Sequence, residues 1–204
     1  FGHSLVSQNL TILDANGQPV DVPLLNAFLN PGAYGTSGAG AIIGGVVTQA
    51  AEEVDPNIVD VIRNNLVQQP ADLFSFNVAR GRDVGLGTLN QVRKMLADST
   101  DPYVQEAVGF AGNLSAYTDW DDFKQRNNLS VTVRSDGTGL VKGIDRVDLW
   151  VGGLAEAHIN DGMVGQTFWV VLHEQFDRLQ EADRFYYTDR FDNYDFYENH
   201  VDGQ

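Results

Sequence analysis

DLFSFNVARGRDVGLG, residues 72–87, joins a short apolar run to a cluster of charges and a glycine-rich turn. Asn77 is the amide inside the apolar part, and Arg80, Arg82 and Asp83 follow it closely. An amide flanked by apolar side chains is expected to be buried and hydrogen-bonded, because leaving it unpaired costs about 1–3 kcal/mol. The stretch therefore raises the question of which groups Asn77 and Arg80 serve.

Composition narrows the classes of protein to which the chain can belong. Its 13 basic and 28 acidic residues give a net charge of −15, which argues against nucleic acid or an anionic membrane as partner. The absence of cysteine excludes disulfides, thiol catalysis and cysteine metal sites. No apolar run reaches the roughly 18 residues of a membrane span. These features are compatible with a cytosolic protein or with one secreted without oxidative folding.

Hydrophobic periodicity predicts a mainly α protein. Helices are predicted over residues 38–53, 55–66, 88–97, 103–110, 119–126, 147–154 and 164–179, with a short helix near 24–29. Asp55 and Pro56 are interpreted as the N-cap and first residue of the second of these helices. Residues 1–13 are interpreted as helical or mixed, ending in a turn at 14–17. One β-hairpin is predicted at 129–141, where SDGTG supplies the turn.

The chain has four histidines, and the sequence gives no reason to assign a metal-binding role to three of them. His173 begins an HE pair, but Asp177 stands where the HExxH zinc motif needs its second histidine. His158 and His200 are interpreted as surface residues. His3 differs, because it lies among small and apolar residues where a neutral imidazole needs a hydrogen-bond partner. A pairing of His3 with Asn77 would satisfy both groups.

Four blocks of sequence, in this order, resemble the animal-type haem peroxidases of the peroxidase–cyclooxygenase superfamily. The blocks are FGHSLVSQ (1–8), PNIVDVIRNNLV (56–67), DLFSFNVARGRDVGLG (72–87), and DLWVGGLAEAH (148–158) followed by VGQTFWVVLHEQFDRLQEADRFYY (164–187). The resemblance covers most of residues 1–187. It implies a mainly α fold, the C-terminal part of the helical peroxidase fold, with the 129–141 hairpin as a small insertion.

The resemblance also implies roles for individual residues. His3 would bind haem iron on its proximal side, and Asn77 would accept a hydrogen bond from the other ring nitrogen and so orient the imidazole. Arg80 would neutralise a haem propionate, because a guanidinium fork matches a carboxylate. The apolar wall of the proximal face would consist of Leu66, Leu73 and Phe76.

Some positions depart from the family pattern. Val84 stands where the family usually has histidine, and Gly87 lies near a usual proline. Arg82 and Asp83 are interpreted as a pair that stabilises the turn. The family's distal histidine and arginine lie upstream of its proximal histidine and are expected outside these 204 residues. The cofactor is expected to be haem b, with any covalent attachment and any calcium ion belonging to that upstream part.

The resemblance implies a haem-dependent peroxidase that reduces hydrogen peroxide and oxidises small donors or halides. Residues 1–187 would form the proximal half of its haem domain, partnered by the upstream part of the same protein, and 188–204 an acidic, aromatic tail. A secreted, bacterial-looking enzyme responding to oxidative stress is expected. Two alternatives stay open: a fatty-acid dioxygenase or cyclooxygenase-like enzyme, and a haem-binding or structural module without turnover.

Overall fold

The computed structural model describes residues 2–28, 30–65, 72–130 and 143–187. Within these ranges the fold is mainly α, as predicted. The strands are β1 (Asn9–Leu13) and β2 (Pro19–Pro23). The helices are α1 (Leu24–Ala27), α2 (Pro31–Ser37), α3 (Ala39–Val46), α4 (Asp60–Asn64), α5 (Leu73–Asp83), α6 (Leu89–Ala97), α7 (Pro102–Phe110), α8 (Trp120–Arg126), a 3₁₀ turn at Ile144–Arg146, α9 (Leu149–Leu154) and α10 (Gln166–Ala182).

The helical interpretation of the first residues was wrong. β1 and β2 form an antiparallel hairpin in which Thr11 lies opposite Asp21. The carboxylate of Asp14 closes the turn by accepting hydrogen bonds from the backbone of Asn16 and Gln18, both at 2.8 Å. The predicted turn is therefore present, and β-branched residues on either side of it favour extended strands over a helix.

Six of the predicted helices are confirmed as α1, α6, α7, α8, α9 and α10, each with bounds within three residues of the prediction, whereas the helix predicted over 38–53 ends earlier, as α3. The helix predicted from Asp55 is instead only the five-residue α4. Asp55 does not cap it, because its carboxylate accepts hydrogen bonds from the backbone and side chain of Asn57 at 2.8 and 2.6 Å. A local turn of this kind competes with the first turn of a helix.

Two predicted features fall on residues outside the described ranges. The hairpin expected at 129–141 lies outside the described ranges from residue 131 onward. The acidic tail expected at 188–204 lies entirely outside them. The sheet that the described residues contain is the β1–β2 hairpin. None of the described helices is long and apolar enough to cross a membrane.

The core consists of three apolar clusters that together contact most of the later helices. The first contains Leu89, Tyr117, Phe123 and Ile144, and the second contains Val104, Ala107, Ala111 and Val170. The third contains Val54, Leu154 and Val164, with Leu5 and Trp150 packed against it. Because Leu5 lies two residues from His3, this third cluster fixes the start of the chain beside the helices.

Close packing at one glycine attaches the N-terminal hairpin to α3. A Cβ built at Gly45 would lie 2.3 Å from the backbone oxygen of Thr11 and 2.4 Å from Cα of Ile12. Those contacts are with backbone atoms, which cannot turn aside as a side chain could. The glycine at position 45 therefore allows α3 to approach β1 closely.

Candidate functional site

The stretch DLFSFNVARGRDVGLG (72–87) contains α5, a helix with a well-defined start and end. Asp72 is the N-cap of α5, and its carboxylate accepts hydrogen bonds from the backbone of Phe74 and Ser75 at 3.0 and 3.3 Å. Such caps stabilise a helix by about 1 kcal/mol. The helix ends before Gly85, whose φ of +76° is a conformation that glycine adopts without strain.

The haem-site residues that were predicted within α5 all lie on one face of this helix. Leu73, Phe76, Asn77 and Arg80 follow the 3-4 spacing that places side chains on one side of a helix. Phe76 is 57% exposed, and the side chain of Arg80 is 74% exposed. An open groove of about 660 Å³ runs along this face between Phe76 and Asp83. We call it the α5 groove.

The imidazole of His3 meets this face at Asn77. The amide nitrogen of Asn77 lies 3.0 Å from Nδ1 of His3, although 74 residues separate the two in sequence. The predicted pairing of a partnered histidine with the amide of the signature stretch is therefore present. Within the described part of the chain, Nε2 of His3 has no hydrogen-bond partner.

The orientation of the Asn77 amide decides which ring nitrogen of His3 is protonated. With the amide nitrogen facing Nδ1, Asn77 donates, and the neutral imidazole carries its proton on Nε2. A half-turn of the amide brings its oxygen to the same place, where it accepts from Nδ1–H and leaves the Nε2 lone pair free. The family resemblance implies an accepting Asn77, so it is the half-turned amide that matches metal binding through Nε2.

Arg80 is paired within its own helix. Its guanidinium lies 3.0 Å from the carboxylate of Asp83, and both side chains are more than 70% exposed. Exposed ion pairs of this kind contribute little free energy, so Arg80 is available to another carboxylate in the α5 groove. An incoming carboxylate has to compete with Asp83.

A second face of α5 packs against α9, and it corrects one prediction. Arg82 does not pair with Asp83 but donates two hydrogen bonds to Asp148, at 2.9 and 2.7 Å. This bidentate pair holds the pKa of Asp148 below its usual value, chiefly through the hydrogen bonds from Arg82. Near the other end of α5, the ring of Phe74 contacts that of Trp150 at a centroid distance of 4.7 Å.

Two predicted wall residues, Leu73 and Leu66, and two histidines that were not predicted to bind haem remain to be located. Leu73 is half-buried at the start of α5. Leu66 lies outside the described residues, so its place in an apolar wall stays a prediction. His158 is exposed and its Nε2 lies 3.0 Å from the carbonyl oxygen of Val54, whereas His173 lies 2.7 Å from Asp177 on the same helix. Neither ring contacts the α5 groove.

The sequence did not predict a buried polar network that lies outside the α5 groove. Arg93 and Glu156 form an ion pair at 2.5 Å, and both side chains are fully buried. Glu156 also accepts hydrogen bonds from the hydroxyls of Tyr117 and Thr167, at 2.9 and 2.7 Å, and from the backbone of Thr167 at 2.7 Å. We call these residues, with Asn127, the Glu156 network.

Arg93 fills its remaining donors on the same network. It donates to the backbone of Ser115 at 2.7 Å and to the side chains of Thr167 and Gln166 at 2.8 and 2.7 Å. Burial lowers the pKa of Arg93 and the charge of Glu156 opposes that shift. Burial, followed by the charge of Glu156, raises the pKa of Tyr117. The network therefore links α6 and α10 to the segment that follows α9, and its central charged side chains are buried.

Comparison with known proteins first identifies the class. Peroxidase A from Dictyostelium discoideum has a solved structure that aligns over 91% of this chain and 33% of its own, with a TM-score of 0.63 and 27% identity. The fatty acid alpha-dioxygenase of Oryza sativa aligns over 90% of this chain and 30% of its own, with a TM-score of 0.61 and 18% identity, which shows likeness of fold alone. The chain has the helical fold of the haem peroxidases.

Sequence then identifies the family. Residues 1–202 match the animal haem peroxidase family, and the chain belongs to that family. Peroxinectin A of Dictyostelium discoideum is 30% identical over 192 residues, which are 92% of this chain and 32% of that protein. The chain thus spans only part of its relatives, from about a third of peroxinectin A to 12% of the peroxidasin of Drosophila melanogaster. Its relatives are peroxidases, and the family name implies a haem cofactor.

The residues of the α5 groove fit such a cofactor. A haem needs a nitrogen ligand for its iron, apolar side chains against its ring and cations for its propionates. The described residues supply an imidazole with an unpartnered Nε2, the exposed ring of Phe76, and the guanidinium of Arg80 one turn beyond Asn77. These groups lie together on one side of α5.

Proposed function

We propose that this chain forms the proximal side of the haem site in a peroxidase. His3 binds the iron of haem b through Nε2, and the complete protein reduces hydrogen peroxide while oxidising small donors or halides. The observation that carries the proposal is the contact between His3 and Asn77, made across 74 residues on the rim of an open groove. Membership of the animal haem peroxidase family supports it.

Asn77 has the task of orienting His3. In the ligating state its amide oxygen accepts a hydrogen bond from Nδ1–H, which selects the tautomer with a free lone pair on Nε2 and fixes the ring plane. An amide is neutral, so it gives the imidazole less anionic character than a carboxylate would. We therefore expect Asn77 to favour the reduced metal more than an aspartate would in its place.

The other predicted site residues would bind the body and edge of the cofactor. Phe76 and Leu73 give the ring an apolar surface, and Leu66 is proposed to extend it. Arg80 would exchange Asp83 for a propionate, because a guanidinium can bind a carboxylate through two parallel hydrogen bonds, whereas it donates a single one to Asp83. Each residue binds or orients, and none of them transfers a proton to peroxide.

When bound, the haem supplies the electron chemistry of peroxide reduction and donor oxidation. Proton transfer to and from peroxide requires groups on the other side of the ring, which we assign to an upstream part of the same protein. That part is the proposed partner of this chain. We further propose that the enzyme is secreted, because its composition is acidic and contains no cysteine.

His3→Ala in the full-length protein tests the ligand assignment. We expect His3→Ala to abolish the histidine-ligated absorption spectrum that wild-type protein gives with added haemin, while far-ultraviolet circular dichroism stays unchanged. The matched control is His158→Ala, because His158 is exposed and lies away from the α5 groove. An unchanged spectrum for His3→Ala would show that another residue binds the iron.

Asn77→Leu and Asn77→Asp test the orienting role. We expect Asn77→Leu to weaken haemin binding by about 10–100-fold, the range for partners of metal-bound ligands. Asn77→Asp should retain haemin and lower its reduction potential, because a carboxylate makes the imidazole more anionic. Potentials measured by redox titration that are equal in wild type and both variants would remove Asn77 from the site.

A further inference from the structure

Two contacts at opposite ends of α5 attach the helix to α9. At one end the ring of Phe74 packs on Trp150, and at the other the guanidinium fork of Arg82 binds both carboxylate oxygens of Asp148. Eight residues separate Phe74 from Arg82, which is about 12 Å along a helix axis. Contacts this far apart restrict both the tilt of α5 and its rotation about its own axis.

Rotation of α5 matters because Asn77 lies on the neighbouring face. A side-chain amide lies about 5–6 Å from the helix axis, so a rotation of 20° would move it by about 2 Å. The hydrogen bond between Asn77 and His3, 3.0 Å long, would not survive that displacement. Functional groups need to be held within about 0.5 Å and 10–20° by the residues around them.

We propose that Arg82 is a positioning residue, which through its bidentate pair with Asp148 sets the rotation of α5 that brings Asn77 to His3. The inference rests on the proposed haem site and adds a residue to it that the resemblance had assigned to a local turn. The fork geometry matters as well as the charge, because a lysine ammonium cannot bind both carboxylate oxygens in one fixed plane.

A plain structural role is the rival explanation, and its energetics make it the weaker one. The side chain of Arg82 is 69% exposed, and ion pairs at such positions add little to global stability. A pair that hardly stabilises the fold can still fix an angle, because two parallel hydrogen bonds define a direction. The two explanations differ in whether Arg82 acts through Asn77.

A double-mutant cycle in the full-length protein separates them. Haemin affinity is measured for wild type, Asn77→Leu, Arg82→Met and the double variant. If Arg82 acts by positioning Asn77, Arg82→Met weakens haemin binding in the wild type but adds nothing once Asn77 is leucine. If the fold-change caused by Arg82→Met is the same in both backgrounds, or if there is none, the proposal is overturned.

Two further variants complete the experiment. Arg82→Lys keeps the charge and the fold but loses the fork, and should weaken haemin binding in the same non-additive way. Lys94→Met breaks the exposed pair of Lys94 with Asp98 and should leave affinity unchanged. If Asn77→Leu and His3→Ala bind haemin like wild type, the proposed function fails together with this inference. If those variants behave as expected and Arg82 is additive, only the role of Arg82 fails.

Discussion

The Glu156 network and the α5 groove both contain polar side chains, but these are buried and hydrogen-bonded in the network and largely exposed in the groove. In the network, the side chains of Arg93 and Glu156 are fully buried, and both carboxylate oxygens of Glu156 accept hydrogen bonds from neighbouring groups. In the groove, Phe76 and Arg80 are mostly exposed, and the only partner of Arg80 among the described residues is an exposed carboxylate.

This difference separates residues that maintain the fold from residues that meet a ligand. Groups whose hydrogen bonds are all satisfied inside the protein have nothing left to offer, although removing one of them is costly. Groups with spare donors or lone pairs on an open surface determine what binds. Substituting such groups changes the free energy of unfolding little. Changes in the network should therefore affect unfolding, and changes in the groove should affect haemin.

Glu156→Gln should give the largest effect on stability. It leaves the buried charge of Arg93 without its counterion, and we expect the free energy of unfolding to fall by about 3–5 kcal/mol. Urea unfolding followed by circular dichroism measures the loss. As a control, Lys94→Met removes an exposed pair and should change the midpoint little. A loss for Glu156→Gln no larger than the control's would mean that the network is not a stabilising element.

Tyr117→Phe should have a smaller effect in the same direction. The change deletes the hydroxyl that donates to Glu156 and accepts from Asn127, but keeps the ring between the guanidiniums of Arg93 and Arg126. We expect a loss of about 1–3 kcal/mol in the same urea assay. Haemin affinity per folded molecule should not change. A change would show that the Glu156 network also affects haemin binding.

Asp83→Asn should act on the groove alone. The variant removes the carboxylate that competes for Arg80, so haemin affinity should rise, by less than about fivefold because the pair is exposed. Arg80→Gln should lower the affinity, and neither change should shift the urea midpoint. Weaker haemin binding by Asp83→Asn, measured by titration, would contradict the proposed exchange of Asp83 for a propionate.

The smallest effect concerns the pH dependence of stability. Because the folded-state pKa of Asp148 is lowered, its pair with Arg82 contributes fully above the unfolded value of about 3.9, and the contribution is lost as pH falls through the folded value. The difference in urea midpoint between wild type and Asp148→Asn should therefore shrink below about pH 4. Asp98→Asn serves as the carboxylate control. A difference that is constant from pH 7 to pH 3 would exclude this linkage.

Local patterns and family resemblance predicted much of the fold and the groove. Amphipathic spacing located α6, α7, α8 and α10, and the isolated amide of Asn77 led to His3. The N-terminal hairpin was missed because its strands are five residues long, too short for alternation to outweigh an apolar helical pattern. Asp148 was missed as the partner of Arg82, because a contact across 66 residues leaves no local signal.

The burial of Arg93 could have been predicted from its position in the sequence of α6. It lies four residues after Leu89 and three before Leu96, so it shares the apolar face of α6 with both. A charge in that position is expected to be buried and therefore paired. The pattern alone could have predicted a buried ion pair at Arg93, although Glu156 as its partner depends on tertiary structure.

Gly165 has a consequence for how sequences of this family can vary. A Cβ at this position would lie 2.2 Å from Cβ of Glu156 and 3.0 Å from its backbone oxygen. Any side chain at 165 would push the start of α10 away from Glu156 and its buried pair with Arg93. Positions 93, 156 and 165 should therefore change together during evolution, and relatives that have a side chain at position 165 should also lack the buried ion pair.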